Sequence, residues 1–291
     1  MHPLVSAAGA YGAWVRGEFE TALSVAYAAR AAEERRGLVP SGLVERVLAN
    51  VLFARGQVDV GNRETTRQLA LAEESGLGSR LAHACYFCSV AASSVGAYDE
   101  ADHMVARARA AAETTGSPTD LASASVAAGF ASHDDDQAAL EAFATAARLA
   151  GSAGNRWMSA FARTEASGLL VHQGRLDVGC SGLAEVVDTW YRAGEWSQQW
   201  HTLARCVIAL DRIDQPELAL TVVGAIEARA TIGTPPVMVI LRDVALDTRD
   251  RLVERLGAEH SAELRRIGAA LPVAEVVHRT RQALLGRYPD A

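Results

Sequence analysis

The sequence predicts an all-α chain, a right-handed α-solenoid of about six helix pairs closed by a C-terminal helical cap. Two interleaved series of tight-turn signals share one period, the stretches between them carry helical spacing, and β-branched residues never alternate with polar ones for long. The first series runs Gly17-Glu-Phe-Glu, Gly56-Gln-Val-Asp, Gly96-Ala-Tyr-Asp-Glu-Ala and Gly174-Arg-Leu-Asp, with Asp135-Asp-Gln-Ala and Asp214-Gln-Pro-Glu-Leu-Ala in the remaining slots. Successive first residues lie 39, 40, 39, 39 and 40 positions apart. The second series is Gly37, Gly76, Gly116, Gly154, Gly194 and Gly233, spaced 39, 40, 38, 40 and 39. One period in two alternating series implies a unit of helix, turn, helix, turn.

Within a unit, Ala22, Leu23, Ala26, Tyr27, Ala29 and Arg30 recur at steps of three and four, as do Trp196, Trp200, Leu203, Val207 and Leu210. Ser117-Pro118-Thr119-Asp120 reads as a helix start with proline at its first position, and glycine suits the left-handed residue that closes a helix. A two-helix unit cannot bury a core alone, whereas stacked units can. After Gly233, Thr234-Pro235-Pro236 breaks the rhythm. Three helices are expected beyond it, over 237–257, 260–271 and 273–285, with a break at Pro272. The domain reading is therefore 1–233 for the repeats and 234–291 for the cap, since terminal units of repeat arrays are atypical.

Counting Gly96 as position 15 of its unit puts Ala101 at position 20 and Ala108 at 27, and counting from Gly17 puts Ala22 and Ala29 there. Small residues at both places let helices approach closely. This pattern resembles the tetratricopeptide (TPR) repeat over about residues 4–231, but the period is near 39 rather than about 34, so the helices should be longer. The stretch Val186-Val-Asp-Thr-Trp190-Tyr-Arg-Ala-Gly194-Glu-Trp196-Ser-Gln-Gln-Trp200-His, with Ala219-Leu-Thr-Val-Val-Gly224-Ala and the tail around Leu252–Ala274, resembles the C-terminal sensor region of large actinobacterial ATP-dependent regulators of the LuxR and related types. The resemblance implies a protein- or ligand-sensing role linked to transcription. The ATPase core and DNA-binding domain of that family have no counterpart in the sequence, so the chain reads as a sensor region standing alone or cut from a longer regulator.

Composition narrows the function classes. All 28 basic residues are Arg and the formal charge is −7, which speaks against a lysine-dependent P-loop, Schiff-base lysine chemistry and strong nonspecific nucleic-acid binding. No stretch approaches the roughly 20 apolar residues of a membrane span, and the N-terminus lacks a basic leader. Four Cys suit a reducing compartment, so the expected location is cytoplasmic. His83, Cys85 and Cys88 do not make a metal set, because only the two thiols share a helical face. His133-Asp134-Asp135-Asp136 falls in a turn slot, where Asp suits a helix cap. No signature of catalysis is present. Neither an enzyme nor a cofactor or metal is therefore expected.

The sequence is therefore read as a binding or sensor module for a protein or peptide segment or a small effector, with no membrane role. Positions 2, 5, 9 and 12 of the first helices nominate Arg46, Asn50, His83, Tyr86, Thr164 and Trp200 for its concave face. Trp190, Trp196 and Trp200 are read as packing between units, with a partner hot spot as the rival role. The alternative function is direct DNA binding through Arg265–Arg279, where Gly268 would serve as the turn of a helix-turn-helix, but its second segment carries little that could read base edges.

Overall fold

The computed structural model describes residues 2–229 and 239–286, with side chains omitted over 239–243. Among the described residues there are fifteen α-helices and no strand. In chain order these are α1 (Pro3–Val15), α2 (Phe19–Arg36), α3 (Leu43–Ala54), α4 (Val58–Ser75), α5 (Gly78–Ser94), α6 (Tyr98–Thr115), α7 (Pro118–Ala131) and α8 (Asp136–Ser152). There follow α9 (Arg156–His172), α10 (Leu176–Ala193), α11 (Trp196–Arg212), α12 (Pro216–Glu227), α13 (Val239–Leu256), α14 (Ala258–Ala270) and α15 (Val273–Leu284). The chain divides into two compact units, Met1–Ala162 and Arg163–Ala291, with the division falling inside α9. Both Gly233 and Thr234-Pro235-Pro236, and with them the expected 233/234 boundary, lie outside the described residues.

The two series of turn signals do different mechanical work. Gly17, Gly56, Gly96 and Gly174 follow α1, α3, α5 and α9 at φ 74, 73, 76 and 79. Gly37, Gly76, Gly116 and Gly194 cap α2, α4, α6 and α10 in the left-handed region that a side chain disfavours. Where the first series lacks glycine, the chain adapts. Asp135 becomes the N-cap of α8, its carboxylate accepting from the Ala138 amide at 2.9 Å. Asp214 after α11 takes a positive φ of 60 itself, one of the few conformations in which Asp replaces glycine. Ser117 caps α7, accepting from the Asp120 amide at 3.4 Å, and Pro118 sits at the first helical position.

In the first unit each helix from α1 to α7 packs on its successor, α1 also meets α3 and α5 also meets α7. Alanine makes the approach possible: Ala22, Ala29, Ala101 and Ala108 are fully buried or nearly so. Tyr27 departs from the expected apolar face. It is 45% exposed, with the Arg30 guanidinium 6.0 Å from its ring.

In the second unit α10 packs on α11 and α15, α11 on α12, α13 and α15, and α12 on α13, α14 and α15. Leu183, Leu203, Leu210, Leu220 and Leu252 form its fully buried centre. Gly268 is not a turn, contrary to the helix-turn-helix reading of this stretch. It lies inside α14, where an added Cβ would overlap the Thr221 carbonyl oxygen of α12. Gly224 on α12 meets the Arg265 carbonyl oxygen in the same way. The two missing side chains let α12 and α14 cross nearly backbone to backbone. The turn between α14 and α15 is made at Leu271-Pro272 instead.

Candidate functional site

Four of the six nominated residues fall in the first unit, on the first helices of two consecutive pairs. Arg46 and Asn50 are one turn apart on α3, and His83 and Tyr86 occupy one face of α5. Side-chain contacts join the two helices. The Arg46 guanidinium carbon lies 5.1 Å from the centre of the Tyr11 ring on α1 and 5.3 Å from that of Phe87 on α5. Phe87 packs in turn against His83, edge to face at 5.0 Å, and against Tyr86 at 4.8 Å. Trp157, which packs against the apolar cluster holding Tyr11, stacks on Phe161 at 5.3 Å.

Among the described residues no carboxylate lies within ion-pair distance of Arg46, whereas Arg30 and Arg67 of the same unit each have two and Arg107 has one. Three nitrogens there, Arg46 Nε, Asn50 Nδ2 and His83 Nε2, are buried and hydrogen-bond to no protein group. A buried polar atom left unpaired costs about 1–3 kcal/mol. Burial, then the positive charge of Arg46, pushes His83 down to about 3, so its ring is neutral at neutral pH. The cluster therefore holds one cation, one neutral imidazole and one amide, walled by aromatic rings.

The ion pairs beside it are structural. Glu45 is fully buried on α3, 3.3 Å from Arg30 and 3.4 Å from Arg67, and Arg30 also holds Glu64. Burial, with the neighbouring Glu45 charge adding to it, raises the Glu33 carboxyl above its ordinary value.

Thr164 and Trp200 belong to the second unit and are buried. Thr164 Oγ1 accepts the indole N–H of Trp190 at 3.3 Å inside the core. Trp200 stacks on Trp196 at 6.2 Å, with the Arg229 guanidinium 5.5 Å from its ring. Arg229 is anchored by the Leu271 carbonyl at 3.1 Å.

The second unit also holds a buried triad that sequence reasoning missed: Glu165 on α9 with His201 and Arg205 on α11. His201 Nε2 lies 2.8 Å from Glu165 Oε1 and donates to it, since a carboxylate only accepts, while Arg205 holds Oε2. Burial pushes the Glu165 carboxyl up, but Arg205 and His201 outweigh it and hold it below its ordinary value. Gly168 on α9 leaves the space that the Arg205 side chain fills. A signal for the pair exists in the sequence, because Glu165 and Arg205 are 40 residues apart, one repeat, and occupy the same position of consecutive units.

The cysteines carry no reactive arrangement. Cys85, Cys180 and Cys206 are buried, Cys88 is half-buried, and all four are free. Burial raises every thiol, that of Cys88 to about 12 with Cys85 contributing. Among the described residues no group of His, Cys, Asp and Glu is arranged to hold a metal ion, and no helix is long and apolar enough to cross a membrane. In the tail Arg265 pairs with Glu227 at 2.7 Å, Arg266 with Glu263 at 2.6 Å and Arg255 with Asp214 at 2.5 Å. A cleft of about 500 Å³ between α12 and the tail helices is lined by the Asp214–Arg255 pair together with Glu217, Leu218, Leu256, Leu264 and Ile267. In comparison with known proteins, the chain matches no family model and no curated protein sequence.

Proposed function

We propose that this chain is a non-catalytic binding and sensor module, a right-handed α-solenoid of TPR-like helix pairs with a C-terminal cap. It works in the cytoplasm and forms part of, or derives from, a transcriptional regulator. Its ligand, a protein or peptide segment or a small effector, docks on the first helices of the pairs. The observation that carries this reading is the Arg46 cluster, where a cation without a carboxylate partner and three unpaired buried nitrogens gather on the faces of α3 and α5. The contrast is one of charge: the buried carboxylate of Glu45 sits between Arg30 and Arg67, whereas Arg46 faces rings and neutral polar groups.

The test is a screen of the whole chain against a random-peptide display library and, by thermal shift, a panel of cytoplasmic metabolites. Every ligand recovered is then measured against the combined variant Arg46→Ala, Asn50→Ala, His83→Ala. At least a tenfold loss of affinity is expected. An unchanged affinity for every recovered ligand, or no ligand at all, overturns the reading. Gel-shift titration with genomic DNA fragments at physiological salt should show no retardation, and retardation would favour the tail as a DNA-binding element.

A further inference from the structure

We infer that the Arg46 cluster takes a small carboxylic acid carrying a flat apolar group, such as an aromatic acid. This inference rests on the binding-module reading and names the chemistry of its ligand. Arg46 is the cation that the surrounding protein leaves without a counter-charge, while its neighbours Arg30 and Arg67 share buried Glu45. A guanidinium lying over rings keeps its in-plane N–H groups for an acceptor in that plane, and a carboxylate matches this fork with two parallel hydrogen bonds. Asn50 Nδ2, one turn along α3, adds an amide donor on the same face. His83 Nε2 on α5 adds a neutral ring nitrogen.

The charge count selects the ligand class. One cation with neutral helpers balances a monoanion, whereas a phosphate monoester carries nearly two charges at neutral pH and is normally met by more than one cation or a helix N-terminus. The apolar walls select the rest. Tyr11 and Phe87 flank Arg46, and Tyr86 and His83 border Phe87. Ring walls favour a flat partner in offset or edge-on contact. The unpaired nitrogens are buried, so a compact head group reaches them more readily than a peptide backbone lying across the helices.

The probe is phenylacetate, titrated calorimetrically into the full-length chain beside its neutral analogue phenylacetamide and inorganic phosphate. Saturable binding of phenylacetate in the millimolar range is expected, with phenylacetamide at least tenfold weaker and phosphate unable to compete. Arg46→Gln should weaken phenylacetate at least tenfold. Arg46→Lys, which keeps the charge but loses the fork, should fall between. Arg163→Gln, at an exposed ion pair with Glu185, should leave binding unchanged. Equal binding of acid and amide overturns the inference without any variant, as does unchanged binding by Arg46→Gln or no binding by phenylacetate. The two readings also separate. If phenylacetate fails while a displayed peptide is lost by the combined variant, the carboxylate inference falls and the binding module stands. If the combined variant changes nothing, the module falls with it.

Discussion

Replacing Glu165 by Gln keeps the shape of the side chain while removing its charge and turning one acceptor oxygen into a donor, which makes it the sharpest probe of the second unit. Glu165 is 2% exposed and His201 1%, and both oxygens of the carboxylate are used, one by His201 and one by Arg205. Removing one member of a buried ion pair costs about 3–5 kcal/mol, because the charge left behind stays desolvated. Here the Arg205 side chain keeps 16% of its exposure and can turn partly to water, which places the expected loss near the lower end, about 3 kcal/mol. With a urea slope of about 2 kcal/mol/M, the midpoint of the helical circular-dichroism signal should fall by about 1.5 M. Adding Arg205→Met removes the stranded cation, so the double variant should recover at least about 1 kcal/mol. The pH dependence follows from the same geometry. The folded-state carboxyl titrates below its ordinary value, so its ionised form stabilises the fold above the unfolded-state value of about 4.3. That contribution is lost as pH falls through the lowered folded value, and the Gln variant should lack this part of the acid sensitivity. A midpoint shift under about 0.3 M, or a double variant no better than the single one, would refute the reasoning.

The close crossing of α12 and α14 makes Gly268→Ala costly. Its Cβ would meet backbone that cannot swing aside, so a loss of about 1–3 kcal/mol and a melting temperature lower by about 3–10 °C are expected by calorimetry. Gly9→Ala on α1 meets nothing within 4 Å and should instead raise stability by about 0.5–1 kcal/mol. The thiols of Cys85, Cys180 and Cys206 are buried, Cys88 is half-buried and all four are raised, so a disulfide-exchange reagent at pH 8 should label the folded chain slowly and the urea-unfolded chain at once. Rapid labelling of the folded chain would mean that the helices around them open readily. Ser117→Ala should cost about 0.5–1 kcal/mol in urea unfolding, at the low end for a cap because its hydrogen bond is long at 3.4 Å.

Helix content and turn positions were legible because they depend on local chemistry. Glycine at Gly37, Gly76, Gly116 and Gly194 occupies a left-handed cap that few other residues accept, and the capping side chains of Ser117 and Asp135 act within three residues of themselves. Counting repeat positions also brought Arg46, Asn50, His83 and Tyr86 onto facing helices, since fixed spacing converts position number into helix face. The same counting gave no measure of depth. Thr164 occupies the same repeat position as Arg46 and Tyr86 but is covered by the Trp190 indole, and Trp200, at the start of its unit, is buried with Arg229 over its ring. Gly268 was read as a turn because glycine serves both turns and close helix crossings, and only the partner helix distinguishes them. Glu165, His201 and Arg205 were missed for a related reason. Charged residues read as solvated until a period is used to ask which of them face each other, and Arg205–Glu165 joins residues 40 apart, one repeat.

The most direct test of the binding role is amide chemical-shift mapping of the full-length chain as phenylacetate is added. The account expects saturable shifts concentrated on α3 and α5 around Arg46, Asn50, His83 and Tyr86, absent when phenylacetamide replaces the acid. Shifts scattered over both units, or concentrated on α12 to α15, would contradict it.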